Sequence, residues 1–348
     1  MAGVRRDADG FVIPPQRTSS RRQSAASDSA SLMSDGMSVS GGGVSGAGAS
    51  SSGSRRPSLV ERGRYRVYNL YLNGIQFRDK AVAFPPSIAR LIADMGRNRA
   101  ERGDAGRPTK DELWNNKKLG GLEMGAEEPV VEDYFKEALF PDSDFEKGLM
   151  RATRQPMVRG RTPGRSQLAK VSNPIPDLLY GYSDTCFVAH AAGYSTVVDN
   201  VTANNQDMSL PFLAVEFKGD GPGGTGSLWV ATNQCLGDSA ACVNMAEHVF
   251  KKGREKAGTA NTERDKDERT AHSAAFSIAM NGTEARLYVT WVVDGEGDGV
   301  FCMQKVDSFL MQKPADYLAF RDYVLNIVDW GQTTRLERFR AIFDMLSS

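Results

Sequence analysis

One strand-length segment constrains the fold of this chain more than any other part of its 348 residues. Residues 210–218 read Leu-Pro-Phe-Leu-Ala-Val-Glu-Phe-Lys, so the segment is almost entirely apolar until two charged side chains close it. Such a run is typical of a strand that is buried on both faces. We therefore predict an α/β fold, a mixed sheet flanked by helices.

The spacing of apolar residues predicts the other elements. Further strands are expected at residues 177–182, 186–190, 274–280, 285–293 and 300–309, with Asn281-Gly282 as the hairpin turn before 285–293. Helices are expected at residues 87–94, 127–140, 227–250, 315–330 and 335–346, and Gly331 is expected to end the fourth. The polar stretches 97–126 and 251–271 are expected to be a mobile loop and an exposed insertion.

The N-terminal region has a different composition from the rest. Residues 19–58 are dominated by Ser, Gly and Ala and contain almost no large apolar side chain. Such a segment buries too little surface to offset its ordering entropy. Residues 1–64 are therefore predicted to be a disordered tail, and residues 65–348 to form the folded domain.

Charge and hydropathy exclude several classes of protein. The chain has 43 basic and 43 acidic residues, which argues against a strongly basic nucleic-acid binder. An enzyme whose positive potential is local, or supplied by metal ions, stays possible. Neither a signal peptide nor a membrane span is indicated, so we expect an intracellular protein, nuclear or cytoplasmic, without membrane contact.

The charged end of segment 210–218 suggests chemistry. Alternate residues of a strand share a face, so Glu216 and Lys218 project together while Phe217 points the other way. Burying both charges is costly unless they are paired or bind a ligand. Asp177 begins an earlier apolar strand; if the two strands are neighbours, Asp177 and Glu216 can converge on one Mg²⁺ or Mn²⁺. An inward salt bridge that closes the strand is the simpler alternative.

Pro176-Asp177, Glu216-Phe217-Lys218 and the helix after them resemble the signature of the PD-(D/E)XK, or restriction-endonuclease-like, superfamily. Within it the chain most resembles uncharacterised fungal proteins with a Ser-rich N-terminal tail, through residues 176–182 and 211–218. The resemblance implies a core of helix, three strands, helix and strand at about residues 127–310. It also implies metal-dependent hydrolysis of DNA or RNA, with Asp177 and Glu216 as ligands and Lys218 as catalytic base or charge stabiliser.

Two further positions follow from the same resemblance. Glu132, or Glu128 one turn earlier, would supply the carboxylate of the first helix as a metal ligand; a solvated helix face is the alternative. Gln234, on the helix after Lys218, would lie beside the metal site, or else on the helix surface. The stretch between Asp177 and Glu216 is longer than a tight hairpin, so a loop such as 199–209 must be accommodated.

The function has a second interpretation, a catalytically inactive nuclease-fold protein that binds nucleic acid or protein. One segment bears on it, because it contains six basic residues and no acidic residue among them. It could contact phosphates or be an ordinary solvated loop. The residues are Arg151, Arg154, Arg159, Arg161, Arg165 and Lys170. The sequence does not indicate the oligomeric state.

Overall fold

The computed structural model describes residues 58–348 apart from 101–103, 105, 222–226, 259–261 and 295–298. Its strands are β1 (Ile75–Arg78), β2 (Leu149–Thr153), β3 (Leu178–Ser183), β4 (Met208–Phe217), β5 (Ala275–Met280), β6 (Glu284–Val293) and β7 (Val300–Leu310). They form one sheet in the order β1-β7-β6-β5-β4-β3-β2. Because β4 and β5 pair in parallel, as do β1 and β7, while the other neighbours are antiparallel, the sheet is mixed.

Helices surround the sheet. The α-helices are α1 (Pro86–Met95), α2 (Lys110–Trp114), α3 (Lys117–Leu122), α4 (Glu128–Ala138), α5 (Ala191–Ser195), α6 (Val198–Val201), α7 (Leu228–Ala257), α8 (Glu263–Ser273), α9 (Pro314–Trp330) and α10 (Leu336–Ser347). Short 3-10 helices occur at Leu59–Glu61 and Asp184–His190, and π-helical turns at Tyr65–Leu70 and Gly331–Arg335. In the part of the chain that the structure describes, no helix combines the length and apolarity needed to cross a membrane.

Strand β4 is central to the molecule, and every one of its residues is buried. The long helix α7 follows β4 and packs against β4 and β5, as expected for the crossover between two parallel strands. Phe217, at the end of β4, contacts the ring of Phe140 after α4, with ring centroids 5.9 Å apart. The predicted α/β fold with a helix-flanked mixed sheet is confirmed.

The strand predicted at residues 186–190 is wrong. Residues Asp184–His190 form a 3-10 helix, whose start is capped where the Ser183 hydroxyl accepts the Thr185 N–H. Phe187 is the buried residue of this turn and packs against Tyr182, Tyr194 and Phe343. Phe187 thus faces an aromatic cluster rather than a neighbouring strand, while Val188 is 70% exposed.

The mobile loop predicted at residues 97–126 is also wrong in its second half. Helices α2 and α3 are capped by Thr109 and Asn116, and they bury Leu113, Leu119 and Leu122. The insertion expected at residues 251–271 is helical, comprising the end of α7 and most of α8, which the Thr262 side chain caps; of its described residues only Gly253 and Arg269 are buried. In α2 and α3, capping and three buried leucines outweigh the polar composition.

The predicted tail lies outside the described residues as far as residue 57. Residues 58–64 are described, and there Leu59 and Val60 pack against the core of the domain.

Candidate active site

The two strands that carry the sequence motif are neighbours. Strands β3 and β4 pair antiparallel, with Leu178 opposite Val215, which brings Asp177 beside the end of β4. The Asp177 Oδ2 atom accepts the backbone N–H of Phe217 at 2.8 Å. The long stretch between the strands is taken up by the 3-10 helix, α5 and α6, so it does not prevent the pairing.

Glu216 is the most deeply buried carboxyl of the site. It is 1% exposed, and neither carboxylate oxygen has a hydrogen-bond partner among the described residues. Burial raises the pKa of Glu216 well above its ordinary value, and the nearby carboxyls of Asp238 and Asp177 raise it further. A buried carboxyl that accepts no hydrogen bond destabilises the folded state unless another group compensates it.

Lys218 lies next to Glu216 on the same side of the strand end. Its Nζ atom donates to the Phe217 carbonyl at 2.6 Å and is 3.6 Å from Glu216 Oε2 and 3.7 Å from Glu128 Oε2. Burial lowers the pKa of Lys218, but the carboxylates of Glu216, Asp177 and Glu128 outweigh burial, and the pKa is raised overall. Lys218 is therefore a protonated cation at neutral pH.

Helix α4 contributes the two carboxylates considered from the sequence. Glu128 approaches Lys218, and Glu132, one turn later, is only 4% exposed and forms an ion pair with Arg154. Burial raises the pKa of Glu132, and the opposing effect of Arg154 is smaller. Glu132 is thus not on a solvated face, and both glutamates face the end of β4.

Sequence reasoning missed Asp238, which α7 places beside Glu216. It is 2% exposed, its Oδ2 atom has no partner among the described residues, and burial raises its pKa to about 7. Gln234 lies one turn earlier and lines a small cavity with Asp238 and residues 172–175. An acidic residue within the small-residue run 235–242 was the signal for Asp238, because such a residue is rarely buried without a role.

Arg154 was predicted only as one member of the basic segment. In the structure its guanidinium forms an ion pair with Glu132, lies 3.3 Å from Asp177 Oδ1, and reaches within 4.0 Å of Glu128. It is a cation in contact with three carboxylates of the site.

The cluster carries more negative than positive groups. Five carboxyl groups meet three cations, an excess of two negative charges if all are ionised (5 − 3 = 2). The carboxyls are Glu128, Glu132, Asp177, Glu216 and Asp238, and the cations are Lys136, Arg154 and Lys218.

The donors have the chemistry of a hard-cation site, since Glu216 and Asp238 offer unpartnered carboxylate oxygens. Their spacing is different: within the described ranges, no three His, Cys, Asp or Glu side chains converge as metal ligands do. Two internal cations separate the carboxylates, since Arg154 lies between Glu132 and Asp177, and Lys218 between Glu216 and Glu128. The carboxylates are the type of ligand that a divalent cation prefers. For such an ion to bind, Arg154 and Lys218 would have to move away from them.

The other basic residues of segment 151–170 are mostly engaged within the protein. Arg151 donates to the Phe140 and Pro141 carbonyls, Arg161 to the Thr202 and Asp199 carbonyls, and Arg165 to the Gly299 carbonyl. Arg159 and Lys170 are exposed. The segment is largely structural, which leaves fewer side chains for phosphate contacts than its composition suggests.

The fold and the cluster define an α/β protein with buried carboxyl groups at the end of β4, an interior strand of its sheet. Residues 128–343 match the family described as a domain of unknown function (DUF7924), and the chain belongs to this family. The matched region begins at Glu128 and includes Asp177, Glu216 and Asp238. Neither the curated proteins nor the solved structures contain a match to the chain.

Proposed function

We propose that this protein is a metal-dependent nuclease of the PD-(D/E)XK type, which hydrolyses phosphodiester bonds of DNA or RNA. One observation carries the proposal: Glu216 is buried and unpartnered at the end of β4, with Asp177, Asp238 and Lys218 around it. Lys218 does form the strand-closing ion pair with Glu216, at 3.6 Å between Nζ and Oε2. One cation does not balance the site, because burial and the carboxyls of Asp238 and Asp177 still raise the pKa of Glu216.

The order of elements supports the same proposal. Helix α4 is followed by β2, β3 and β4, then by α7, and after α8 by β5. This agrees with the superfamily's expected order of helix, three strands, helix and strand. Asp177 comes directly before the second of the three strands, and Glu216 closes the third.

Asp177, Glu216 and Asp238 would hold a Mg²⁺ or Mn²⁺ ion, and Glu132 would complete the set from α4. When bound, such an ion lowers the pKa of a water molecule and polarises the phosphodiester. In hydrolysis the water would give up one proton and its oxygen would bond to phosphorus, while the bond from phosphorus to the leaving sugar oxygen breaks and that oxygen takes up a proton, so that the protons balance.

The charge of Lys218 selects between its two expected roles. A catalytic base must be unprotonated, whereas the carboxylates around Lys218 raise its pKa and keep it cationic. Lys218 therefore serves as the charge stabiliser, with its ammonium placed to attract an oxygen of the phosphodiester in the transition state.

The alternative is a non-catalytic protein that uses the same fold to bind nucleic acid or protein. One observation favours it: the Arg154 guanidinium lies between the carboxylates, where an activating cation would be needed. The alternative expects binding of DNA or RNA, measured by fluorescence anisotropy, without any cleavage.

The decisive experiment is a cleavage assay on DNA and RNA substrates with Mg²⁺ or Mn²⁺. We expect Glu216→Gln and Lys218→Ala to lower the cleavage rate by at least about 100-fold, since each removes a charged group at the reacting centre. Glu255→Gln and Lys252→Ala are matched controls, because they alter an exposed ion pair far along α7 and should cleave like wild type.

Chelation by EDTA should abolish cleavage by the wild type and by both controls. Equal rates for wild type, Glu216→Gln and Lys218→Ala would assign the cleavage to a contaminant and refute the proposal. Binding without cleavage in every preparation would favour the alternative.

A further inference from the structure

Arg154 has an unusual backbone. It follows β2 with φ of 51°, in the left-handed region that residues other than glycine seldom adopt. Its N–H donates to the carbonyls of Pro176 at 3.1 Å and Asp177 at 3.2 Å, which holds this conformation in place. The same bonds fix the start of the Arg154 side chain beside Asp177.

The side chain covers one side of the acidic cluster. The guanidinium contacts Glu132 and Asp177 and approaches Glu128, while 49% of the Arg154 side chain is exposed to solvent. Glu132 and Asp177 are themselves nearly buried, so the guanidinium lies between these carboxylates and the solvent. Glu216, deeper in the cluster, has Lys218 as its cation at 3.6 Å, and no ion pair joins it to Arg154 among the described residues.

A guanidinium and a divalent cation cannot use the same carboxylate oxygens at once, and their like charges repel each other at this distance. An arginine that occupies the carboxylates therefore lowers the apparent affinity for a divalent cation by the fraction of time that it stays bound. Because half of the side chain is in solvent, Arg154 can rotate outwards without opening the core.

We propose that Arg154 is the resident counter-ion of this carboxylate cluster and sets how tightly the cluster binds a divalent cation. The inference rests on the proposed function, since it takes the cluster to be a metal site. While the Arg154 guanidinium is bound to Glu132 and Asp177, these carboxylates are not available to a metal ion. The site is therefore closed until the Arg154 side chain rotates into the solvent.

Isothermal titration calorimetry with MnCl₂ tests this. We expect Arg154→Ala and Arg154→Gly to bind Mn²⁺ at least about tenfold more tightly than wild type. Glycine accepts a φ of 51°, so Arg154→Gly guards against a folding defect of the alanine variant. Arg154→Lys, which keeps the charge, should stay closer to wild type. Arg159→Ala removes an exposed arginine of the same segment and should bind like wild type.

Mn²⁺ binding to Arg154→Ala and Arg154→Gly but not to wild type would support the inference in its strongest form. Equal affinities of wild type and both variants, each with an unchanged melting curve, would overturn it. A parallel cleavage assay separates the two proposals: equal affinities together with metal-dependent cleavage refute only the role of Arg154. If no variant binds Mn²⁺ and no cleavage occurs, both proposals fail.

Discussion

Glu216 and Asp238 are two buried carboxyls side by side, and at neutral pH they cannot both ionise without a large penalty. A protein under selection for stability alone would replace one of them by an apolar or amide side chain. Their joint presence at the end of β4 fits the proposed function, in which a bound cation would compensate both charges.

The substitution Asp238→Asn tests whether this carboxyl lowers the stability of the metal-free protein. Burial raises the pKa of Asp238 to about 7 in the folded protein, above its ordinary 3.8, so the folded state binds the proton more tightly. Its contribution to stability is therefore lost as pH rises from about 4 to about 7. Without metal at pH 8, we expect Asp238→Asn to increase the free energy of unfolding by on the order of 2 kcal/mol.

The same substitution should lower cleavage and Mn²⁺ affinity at least about tenfold, because it removes a carboxylate oxygen of the cluster. Urea unfolding in EDTA at pH 8 and pH 4 measures the stability effect, which should vanish at pH 4. Asp267→Asn, at an exposed ion pair, should change stability by less than about 0.5 kcal/mol. Loss of stability in Asp238→Asn at pH 8 would contradict the argument.

Individual residues were predictable from sequence when a local pattern identified them. Asp177, Glu216 and Lys218 stand at the charged ends of apolar segments, and the structure brings them together. Arg154 was not predictable in its role, because that role depends on a left-handed backbone and on pairing across three elements. Gln234 was placed on the correct helix but one turn away from the acidic residue next to Glu216.

At the scale of elements, the spacing of apolar residues predicted the main strands and helices. It failed where a residue is placed by contacts between distant parts of the chain. Gly331 was expected to end α9, and α9 does end at Trp330 with Gly331 as its C-cap, but the chain continues from there through a π-helical turn directly into α10. A β-carbon at position 331 would lie 2.2 Å from a ring atom of Phe212. Glycine is needed there for the close approach of the helix to β4, which no local pattern reveals.

Arg335, at the end of that π-helical turn, attaches the C-terminal helices to the sheet. It is fully buried, donates to the Leu210 carbonyl at 2.9 Å and the His272 carbonyl at 3.1 Å, and hydrogen-bonds the Tyr182 hydroxyl. Four aromatic rings lie within 6 Å of its guanidinium carbon, including those of Trp330 and Phe339. Cation–π contacts and carbonyls thus replace a carboxylate partner.

We expect Arg335→Lys to lower the free energy of unfolding by about 3 kcal/mol, because lysine cannot reach all of these carbonyls and leaves some without a donor. Urea unfolding at neutral pH measures the loss. Arg338→Lys is the matched control on α10: its ion pair with Glu268 is about one-third exposed, so it should lose less than about 1 kcal/mol. Similar losses for the two variants would show that Arg335 is not a special attachment point.

For the whole molecule, the balance of 43 basic and 43 acidic residues conceals an uneven distribution. Carboxyl groups outnumber cations in the cluster at the end of β4, while Arg161 in segment 151–170 and Arg335 at the end of the π-helical turn bind backbone carbonyls. The net charge of the sequence argues against a strongly basic nucleic-acid binder. It does not show where charges of one sign cluster, because clustering depends on how the sheet brings distant segments together.

The basic surroundings of His272 predict how global stability depends on pH. Burial, with smaller contributions from the cations Arg335 and Arg338, lowers the pKa of His272 from 6.5 to about 4. Since the unfolded chain binds the proton more readily, stability is lost as pH falls from about 6.5 to about 4, by roughly 3 kcal/mol in total. His272→Gln should remove this loss, so its advantage over wild type in urea unfolding should grow from pH 7.5 to pH 4.5. A constant difference across that range would mean that His272 does not control acid stability, and that other groups such as Asp238, whose protonation acts in the opposite direction, dominate it.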